Sequence, residues 1–157
     1  MHLIARSLAA LLLLAATCLP ARAQSTYVEF SDTLPDTVST KTVAIDRVVG
    51  TGTEATRAEF VVIEYEGWVY DPKLPDRKGV KFDSTRDHGH SLSVLVGVNR
   101  MITGLDRGIL GMRVGGRRTL VVPPKLGYGS RTAFGVVPPN SMVIFEVELL
   151  DVVPQRQ

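Results

Sequence analysis

The chain has 157 residues with 18 basic and 16 acidic side chains, and Arg6 and Arg22 fall in an N-terminal segment that has the pattern of an export signal. Removal of that segment leaves 16 basic against 16 acidic residues, and a chain without net charge or a basic stripe is not typical of nucleic-acid-binding proteins. Cys18, the only cysteine, leaves with it, which excludes disulfides and a thiol nucleophile from the remaining chain of about 130 residues, long enough for one core.

Residues 1–23 have the organisation of a secretory signal peptide. Arg6 supplies the positive charge, residues 7–18 are apolar but too short to span a bilayer, and Ala21-Arg22-Ala23 matches an A-x-A cleavage site. We predict cleavage after Ala23, an exported mature chain with no remaining membrane segment, and the periplasm of a bacterium as its location.

Two other interpretations of this segment stay open. It could be the first helix of a soluble domain, although a leucine/alanine run with no polar face would need burial on all sides. It could also be lipidated at Cys18, although Thr17 stands where a small residue is expected.

The mature chain divides into an arm and one domain. Residues 24–42 are rich in Ser, Thr, Asp and Pro, which predicts an extended or mobile arm. The domain is expected over residues 43–157. Its apolar runs are bounded by Gly, Pro and Asp, which is typical of strands and turns. The predicted strands cover residues 43–49, 60–69, 80–83, 92–96, 119–122 and 142–153, with a long loop at 70–79 and a polar break at 86–91.

One helix is predicted between these strands. Met101, Ile102, Leu105, Ile109 and Leu110 recur at spacings of three to four, with Asn99 as a possible N-cap. Three glycines limit this helix to a few turns. The predicted fold is therefore α+β, with a curved antiparallel sheet of about five strands wrapped against one short helix.

Short motifs follow one another in a fixed order between residues 65 and 150. They are Tyr65-Glu66-Gly67, Lys81-Phe82-Asp83-Ser84-Thr85-Arg86, Met101-Ile102-Thr103-Gly104, Met112-Arg113-Val114-Gly115, Gly127-Tyr128-Gly129, Val137-Pro138-Pro139 and Phe145-Glu146-Val147-Glu148-Leu149-Leu150. Over residues 43–153 this order resembles the FKBP-type peptidyl-prolyl cis-trans isomerases, the macrolide-binding immunophilins.

The resemblance implies a proline pocket and assigns its residues. The catalytic positions that match the family are Tyr65, Phe82, Asp83, Ile102 and Tyr128, and the substrate-binding positions are Leu92, Met101, Leu105, Val137 and Phe145. By likeness, the N–H of Ile102 and the hydroxyl of Tyr128 donate hydrogen bonds to carbonyls of the bound peptide or macrolide, and Asp83 lies close to the twisting amide. Without the resemblance, the apolar residues would be ordinary core residues and Asp83 would cap the turn at Ser84-Thr85.

Such a pocket suffices for the implied reaction. Rotation about an X-Pro bond faces a barrier of about 18 to 20 kcal/mol because the amide must give up its resonance. An acceleration of about ten-thousandfold needs about 5 to 6 kcal/mol of preferential transition-state binding. No bond is made or broken, so neither cofactor nor metal is predicted. The expected partners are proline-containing segments of folding proteins, with macrolide inhibitors as possible ligands.

Several positions depart from the family pattern. Leu105 replaces the usual tryptophan of the pocket floor, and Leu92 replaces an aromatic wall. Each change removes ring contacts worth about 0.5 to 1.5 kcal/mol. Ala133 replaces a frequent histidine and Phe134 a common proline, and the Phe134 ring could refill the rim. The segment at residues 70–79 is about seven residues longer than in the minimal family domain, and this insertion is either a contact surface or a tolerated loop.

Two further hypotheses therefore accompany the enzyme. One is a proline-peptide-binding chaperone module with weak catalysis, and the other is an unrelated small β-barrel. The pair His88-Gly89-His90 suggests a metal site, but only Asp87 is a nearby third ligand, so a solvated loop is the preferred interpretation.

Overall fold

The computed structural model describes residues 26–37 and 39–153. The signal peptide and its cleavage site lie outside these residues. In the described part of the chain, seven strands form one sheet: β1 (Val28–Phe30), β2 (Thr42–Val48), β3 (Phe60–Tyr70), β4 (Lys78–Ser84), β5 (Leu92–Leu95), β6 (Arg117–Val122) and β7 (Val143–Val153). Two short helices, α1 (Thr85–His88) and α2 (Thr103–Gly108), and a 3₁₀ turn at Pro124–Leu126 complete the described elements.

The strands follow the order β1-β2-β6-β7-β3-β4, and β5 also pairs with β3. β3 is the centre of the arrangement because it pairs with β7 along one edge, while β5 and β4 share its other edge. The pairs are antiparallel except β1 with β2, which is parallel. β3 therefore brings strands from both halves of the chain next to one another.

The predicted α+β class with a curved sheet around a short helix is confirmed, but the sheet has seven strands rather than about five and is mixed rather than antiparallel. The parallel strand β1 comes from within the predicted arm. Thr42 N–H donates to the Tyr27 carbonyl at 2.8 Å, and Ser31 N–H donates to the Ala44 carbonyl at 3.0 Å. A strand of three residues has too little alternation to be recognised from sequence, and backbone pairing with β2 decides its conformation.

The helices differ from expectation. α2 spans six residues, and Ile102 rather than Asn99 stands at its N-cap position. Asn99 instead has a left-handed backbone, with φ of 62°, and its N–H donates to the Asp106 carboxylate at 3.0 Å. The predicted polar break begins with helix α1, whose N-cap Ser84 accepts a hydrogen bond from the Arg86 N–H at 3.1 Å.

The core lies on both faces of the sheet. On the face toward α2, the fully buried side chains include Ile63, Ile109, Leu120 and Phe145. On the other face Val43, Ile45, Val121, Met142 and Ile144 form a smaller cluster, against which Leu34, Trp68 and Tyr70 pack. In residues 26–37 and 39–153, no helix has the length and apolar character needed to cross a bilayer.

Candidate active site

Five aromatic rings meet on the face of the sheet that carries α2. The centroid of the Phe82 ring lies 5.9 Å from Tyr128, 5.2 Å from Phe134 and 5.6 Å from Phe145. The Tyr65 ring contacts Phe145 edge-on at 6.0 Å. Most of these pairs are edge-to-face, a favoured geometry of aromatic side chains, and the Phe82–Phe134 pair is tilted, so the five rings form one continuous aromatic wall.

A glycine in β3 makes room for two of these rings. Gly67 pairs with Asp83 on one side and with Phe145 on the other. A Cβ atom at Gly67 would lie 2.8 Å from Cζ of Phe82 and 2.9 Å from Cε1 of Phe145. Since real Cβ atoms do not approach other atoms so closely, only glycine lets the rings meet across the strand.

The structure brings the predicted apolar site residues together. Leu105, Val137 and Phe145 are buried members of one core cluster, which takes in four of the five rings of the wall but not Phe134. The partly exposed residues that pack against this cluster are Tyr65, Phe82, Leu92, Met101, Ile102 and Tyr128. They come from β3, β4, β5, the segment before α2 and the loop after the 3₁₀ turn. Their role in binding substrate stays a prediction.

Two hydrogen-bond donors beside this cluster are unused within the described part of the chain. The backbone N–H of Ile102 and the hydroxyl of Tyr128 make no hydrogen bond with any described residue. Ile102 is held in place because its carbonyl accepts from the N–H groups of Leu105 and Asp106 at 3.1 and 3.0 Å. The Asp106 carboxylate in turn accepts from the Gly97 N–H at 2.9 Å, which fixes the preceding loop.

Asp83 is the acid of the site, and its two carboxylate oxygens both accept hydrogen bonds. Oδ2 accepts from the Tyr65 hydroxyl at 2.5 Å, and Oδ1 accepts from the Ser84 N–H at 3.0 Å and lies 2.8 Å from His88 Nε2. Burial alone would raise the pKa of this carboxyl, but the hydrogen bonds from Tyr65, His88 and Ser84 more than offset it, so the pKa of Asp83 is lowered. The carboxyl is therefore ionised at neutral pH. The alternative role of Asp83 as a turn cap belongs mainly to the Ser84 side chain.

The two tyrosines keep their protons. Burial, and then the hydrogen bond and negative charge of Asp83, raise the pKa of Tyr65 far above its ordinary value. Burial and the charge of Asp83 raise the pKa of Tyr128 to about 12. Both hydroxyls are thus donors throughout the physiological pH range.

His88 is the site residue that sequence analysis missed. It had been grouped with His90 in a solvated loop, and the two rings do stack at 6.3 Å. Among the described residues no set of three or more histidine, cysteine, aspartate or glutamate side chains could hold a metal ion. The signal that could have revealed the contact with Asp83 is Ser84-Thr85-Arg86-Asp87, an N-terminal helix pattern that turns the chain back at residue 88.

Two surface clefts of the described residues are not lined by Phe82, Ile102 or Tyr128, although Tyr65 of the aromatic wall lines the first of them. One, of about 730 Å³, contains five basic and five acidic side chains, so it has no preference for either charge. The exposed ring of the wall is Phe134, whose centroid lies 5.2 Å from Phe82 and 5.7 Å from Tyr128.

Residues 52–150, more than half of the chain, match the FKBP-type peptidyl-prolyl cis-trans isomerase family. The chain belongs to this family. Its members are named as peptidyl-prolyl cis-trans isomerases, and the chain is accordingly an enzyme of this class. The resemblance inferred from the ordered motifs is confirmed at the level of the family.

Relatives and a solved structure support this assignment over most of their length. The FK506-binding protein of Neisseria meningitidis serogroup A is 43% identical over 103 residues, which are 66% of this chain and 88% of that protein. FK506-binding protein 1B of Neurospora crassa is 42% identical over 105 residues, which are 67% and 92% of the two chains. The crystal structure of AtFKBP13 has a TM-score of 0.63 at 32% identity and covers 75% of this chain and 98% of that one.

Proposed function

We propose that this isomerase accelerates the rotation of X-Pro bonds in exported proteins as they fold, and that the aromatic wall with its two free donors is the place where it does so. The observation that carries the proposal is a pair of donors, the N–H of Ile102 and the hydroxyl of Tyr128, for which no described residue is an acceptor and which lie beside a cluster of apolar side chains. An apolar recess with a few convergent polar groups is the usual form of a ligand site.

The physical basis is differential binding of the rotated amide. A twisted amide has less charge separation than a planar one, so apolar surroundings disfavour the planar form relative to the twisted form. The Ile102 N–H and the Tyr128 hydroxyl can hold the carbonyls that flank the proline and can fix the chain in a turn. Asp83, held by Tyr65, would lie close to the amide. The proposed site residues therefore need no chemistry beyond binding and orientation.

We propose the same site for macrolides. The relative from Neisseria meningitidis carries FK506 binding in its name. A macrolide with carbonyl groups beside a ring of proline size could use the same two donors and the same apolar wall. Competition between FK506 and peptide is therefore expected.

The test is an isomerase assay on the purified protein with a chromogenic X-Pro peptide. We expect saturable acceleration that is abolished by FK506 and reduced at least tenfold by Phe82→Ala, because that change removes the centre of the wall. A matched control is Trp68→Phe on the opposite face, which should leave the rate unchanged. No acceleration by the folded protein, or equal loss in both variants, would refute this use of the site.

The second candidate is a proline-peptide-binding chaperone module with weak catalysis. It is favoured by the floor, where buried Leu105 stands in place of the family's tryptophan, and by the partly buried Leu92 on β5. Tight binding of the peptide with little acceleration would support it. Because the assay separates KM from kcat, the same experiment distinguishes the two candidates.

We also propose that the protein is exported, and this can be tested separately from its activity. Residues 1–23 carry the signal pattern, and we propose that the mature protein begins at Gln24 in the periplasm. Fractionation of a bacterial host followed by N-terminal sequencing should find the processed protein outside the cytoplasm. A full-length cytoplasmic protein would contradict this part of the proposal without affecting the catalytic part.

A further inference from the structure

Charge is unevenly distributed along the sequence. Residues 97–145 supply both proposed donors, the floor of the site and three of the five rings of the wall, and they contain seven basic residues but one acidic residue, Asp106. The basic residues are Arg100, Arg107, Arg113, Arg117, Arg118, Lys125 and Arg131. Asp106 is fully buried, and its carboxylate accepts hydrogen bonds from the N–H groups of Gly97 and Asn99. The donor side of the site is therefore built from a cationic part of the chain.

Four of the seven cations have other contacts or lie elsewhere. Arg118 and Arg113 form ion pairs with carboxylates at 2.6 and 2.5 Å. Arg107 donates to the Gly97 carbonyl at 3.2 Å. Arg117 lines the cleft of about 730 Å³, which holds equal numbers of acidic and basic side chains. None of these four is a free charge beside the two donors.

The other three cations, Arg100, Lys125 and Arg131, are exposed and belong to the segments that hold the donors. Arg100 comes two residues before Ile102, so their Cα atoms are at most about 7 Å apart. The Arg131 N–H donates to the Tyr128 carbonyl at 3.3 Å, which turns the chain back beside this tyrosine. Lys125 lies in the 3₁₀ turn that leads into the same loop. None of the three forms an ion pair with a described residue.

The β4 side of the site adds little negative charge. The Asp83 side chain is 13% exposed, and its carboxylate accepts hydrogen bonds from the Tyr65 hydroxyl and the Ser84 N–H. The exposed Asp87 is paired with Lys81 at 2.8 Å. Three unpaired cations thus outnumber the one carboxylate of the site. An excess of one sign around a site attracts ligands of the opposite sign.

We propose that Arg100, Lys125 and Arg131 form a cationic rim that selects X-Pro segments with acidic side chains near the proline. This inference rests on the proposed use of the site. The donors hold the carbonyls that flank the proline, and an extended chain advances by about 3.3 to 3.6 Å per residue, so acidic residues within about three positions of the proline come within reach of the rim. The rim attracts the planar and the rotated segment equally, so it lowers KM and leaves kcat unaltered.

The experiment measures KM and kcat in a protease-free isomerase assay on the whole protein. The three X-Pro peptides differ only in the residues on either side of the X-Pro pair, which are glutamate, glutamine or lysine. We expect KM to be about two- to tenfold lower for the glutamate peptide than for the glutamine peptide, as for one or two exposed ion pairs, and highest for the lysine peptide. Raising the salt from about 10 mM to about 1 M shortens the Debye length from about 30 Å to about 3 Å and should abolish the differences.

Substitutions assign the preference to the rim. The combined replacement of Arg100→Gln, Lys125→Gln and Arg131→Gln should make KM equal for the three peptides. The combination of Arg100→Lys, Lys125→Arg and Arg131→Lys keeps the charges and should retain the native preference. Arg117→Gln is the matched control, because it removes an exposed arginine of β6 that lies outside the rim. It should also retain the preference.

The outcomes separate this inference from the proposed function. Equal KM values for the three peptides with the native protein, a preference that salt does not reduce, or an unchanged preference in the glutamine variant would overturn the inference while the isomerase proposal stands. Absence of acceleration of the glutamine peptide by the folded native protein would instead overturn the proposed function. Equal circular dichroism spectra establish that the variants are folded, and the salt series tests the inference on the native protein without any substitution.

Discussion

The hydrogen bond that Asp83 accepts from Tyr65 contributes both to the stability of the protein and to the geometry of the proposed site. The Tyr65 hydroxyl donates to Oδ2 across the pair of strands β3 and β4. A carboxyl whose pKa is lowered by folding adds stability above its ordinary pKa of about 3.9, and this is lost as the pH falls through the lower folded value. The contact should therefore matter at neutral pH and fade in strong acid.

We predict that Tyr65→Phe lowers the free energy of unfolding by about 1 to 2 kcal/mol at pH 7, because a hydrogen bond to a charged acceptor is lost. The difference from the native protein should shrink below about pH 4, as the carboxyl becomes protonated. Urea unfolding at several pH values measures both effects.

The control for this change is Tyr70→Phe, which removes a hydrogen bond to the Pro35 carbonyl on the opposite face. It should lower the free energy of unfolding by an amount that changes little with pH, and isomerase activity should be retained. A pH-independent effect of Tyr65→Phe would show that Asp83 is not its acceptor in solution.

A second prediction for a single residue concerns Leu105. It is 5% exposed in α2 and packs in the cluster that carries the aromatic wall. Leu105→Trp should raise kcat/KM up to about tenfold, since an aromatic contact adds about 0.5 to 1.5 kcal/mol. The larger side chain should also cost about 1 to 3 kcal/mol of stability through overpacking.

Leu110→Trp provides the comparison, because Leu110 follows α2 and lines a surface cleft that Leu105 does not line. It should leave kcat/KM unchanged. An unchanged rate in folded Leu105→Trp would refute the floor as the limiting feature.

Among the elements, β3 depends on its one glycine. Gly67→Ala places a methyl group between the rings of Phe82 and Phe145, and we expect it to lower stability by about 1 to 3 kcal/mol and to reduce activity strongly. Thermal unfolding and the isomerase assay measure the two effects. Combining it with Phe82→Leu should restore part of the stability, because the smaller side chain relieves the clash, but not the activity. No recovery would indicate that backbone effects rather than the ring contact are responsible.

The loop after the 3₁₀ turn carries the exposed ring of the wall. Phe134 is 53% exposed and has a left-handed backbone with φ of 50°. We predict that Phe134→Ala lowers kcat/KM by about two- to tenfold, through loss of contact between its ring and the peptide. Stability should change by less than about 0.5 kcal/mol, as for other exposed positions.

Val49→Ala is the corresponding control at another exposed apolar residue, which is 72% exposed. The kcat/KM of this variant should equal that of the native protein. A rise in activity on removal of the Phe134 ring would reverse the interpretation, since the ring would then hinder access of the peptide to Phe82 and Tyr128.

For the whole molecule, Arg118 joins elements that are far apart in sequence. Its guanidinium is 2.6 Å from Asp46 of β2 and donates to the carbonyls of Gly108 at 2.7 Å and Leu110 at 3.2 Å, at the end of α2. It also lies over the Phe30 ring of β1 at 4.9 Å. The side chain is 4% exposed, so these contacts are made away from solvent.

Arg118→Leu should lower the free energy of unfolding by about 3 kcal/mol, because breaking a buried ion pair leaves an acid without this cation. Arg117→Leu, its exposed neighbour in β6, should change stability by less than about 0.5 kcal/mol. Chemical denaturation of the two variants gives the comparison. Equal effects would mean that the burial of Arg118 has no energetic importance.

At the scale of the whole chain, much of the fold could be predicted because its signals are local. The apolar run at residues 60–69 predicts β3 (Phe60–Tyr70), and the alternating run at 142–153 predicts β7 (Val143–Val153). The helix period is also present, but Asn99 does not cap it. Asp106, seven residues further along the chain, uses its carboxylate to hold the Asn99 N–H, which no local pattern encodes.

The order of the motifs determined the family, and the apolar periodicity determined the α+β class, because both depend on residue type and spacing. Tertiary structure alone decided that β1 joins the sheet in parallel, that Phe134 packs on the wall and that His88 contacts Asp83. Those contacts depend on backbone pairing and on a single helical turn, whose energies come from neighbours brought close by folding rather than from the residues themselves.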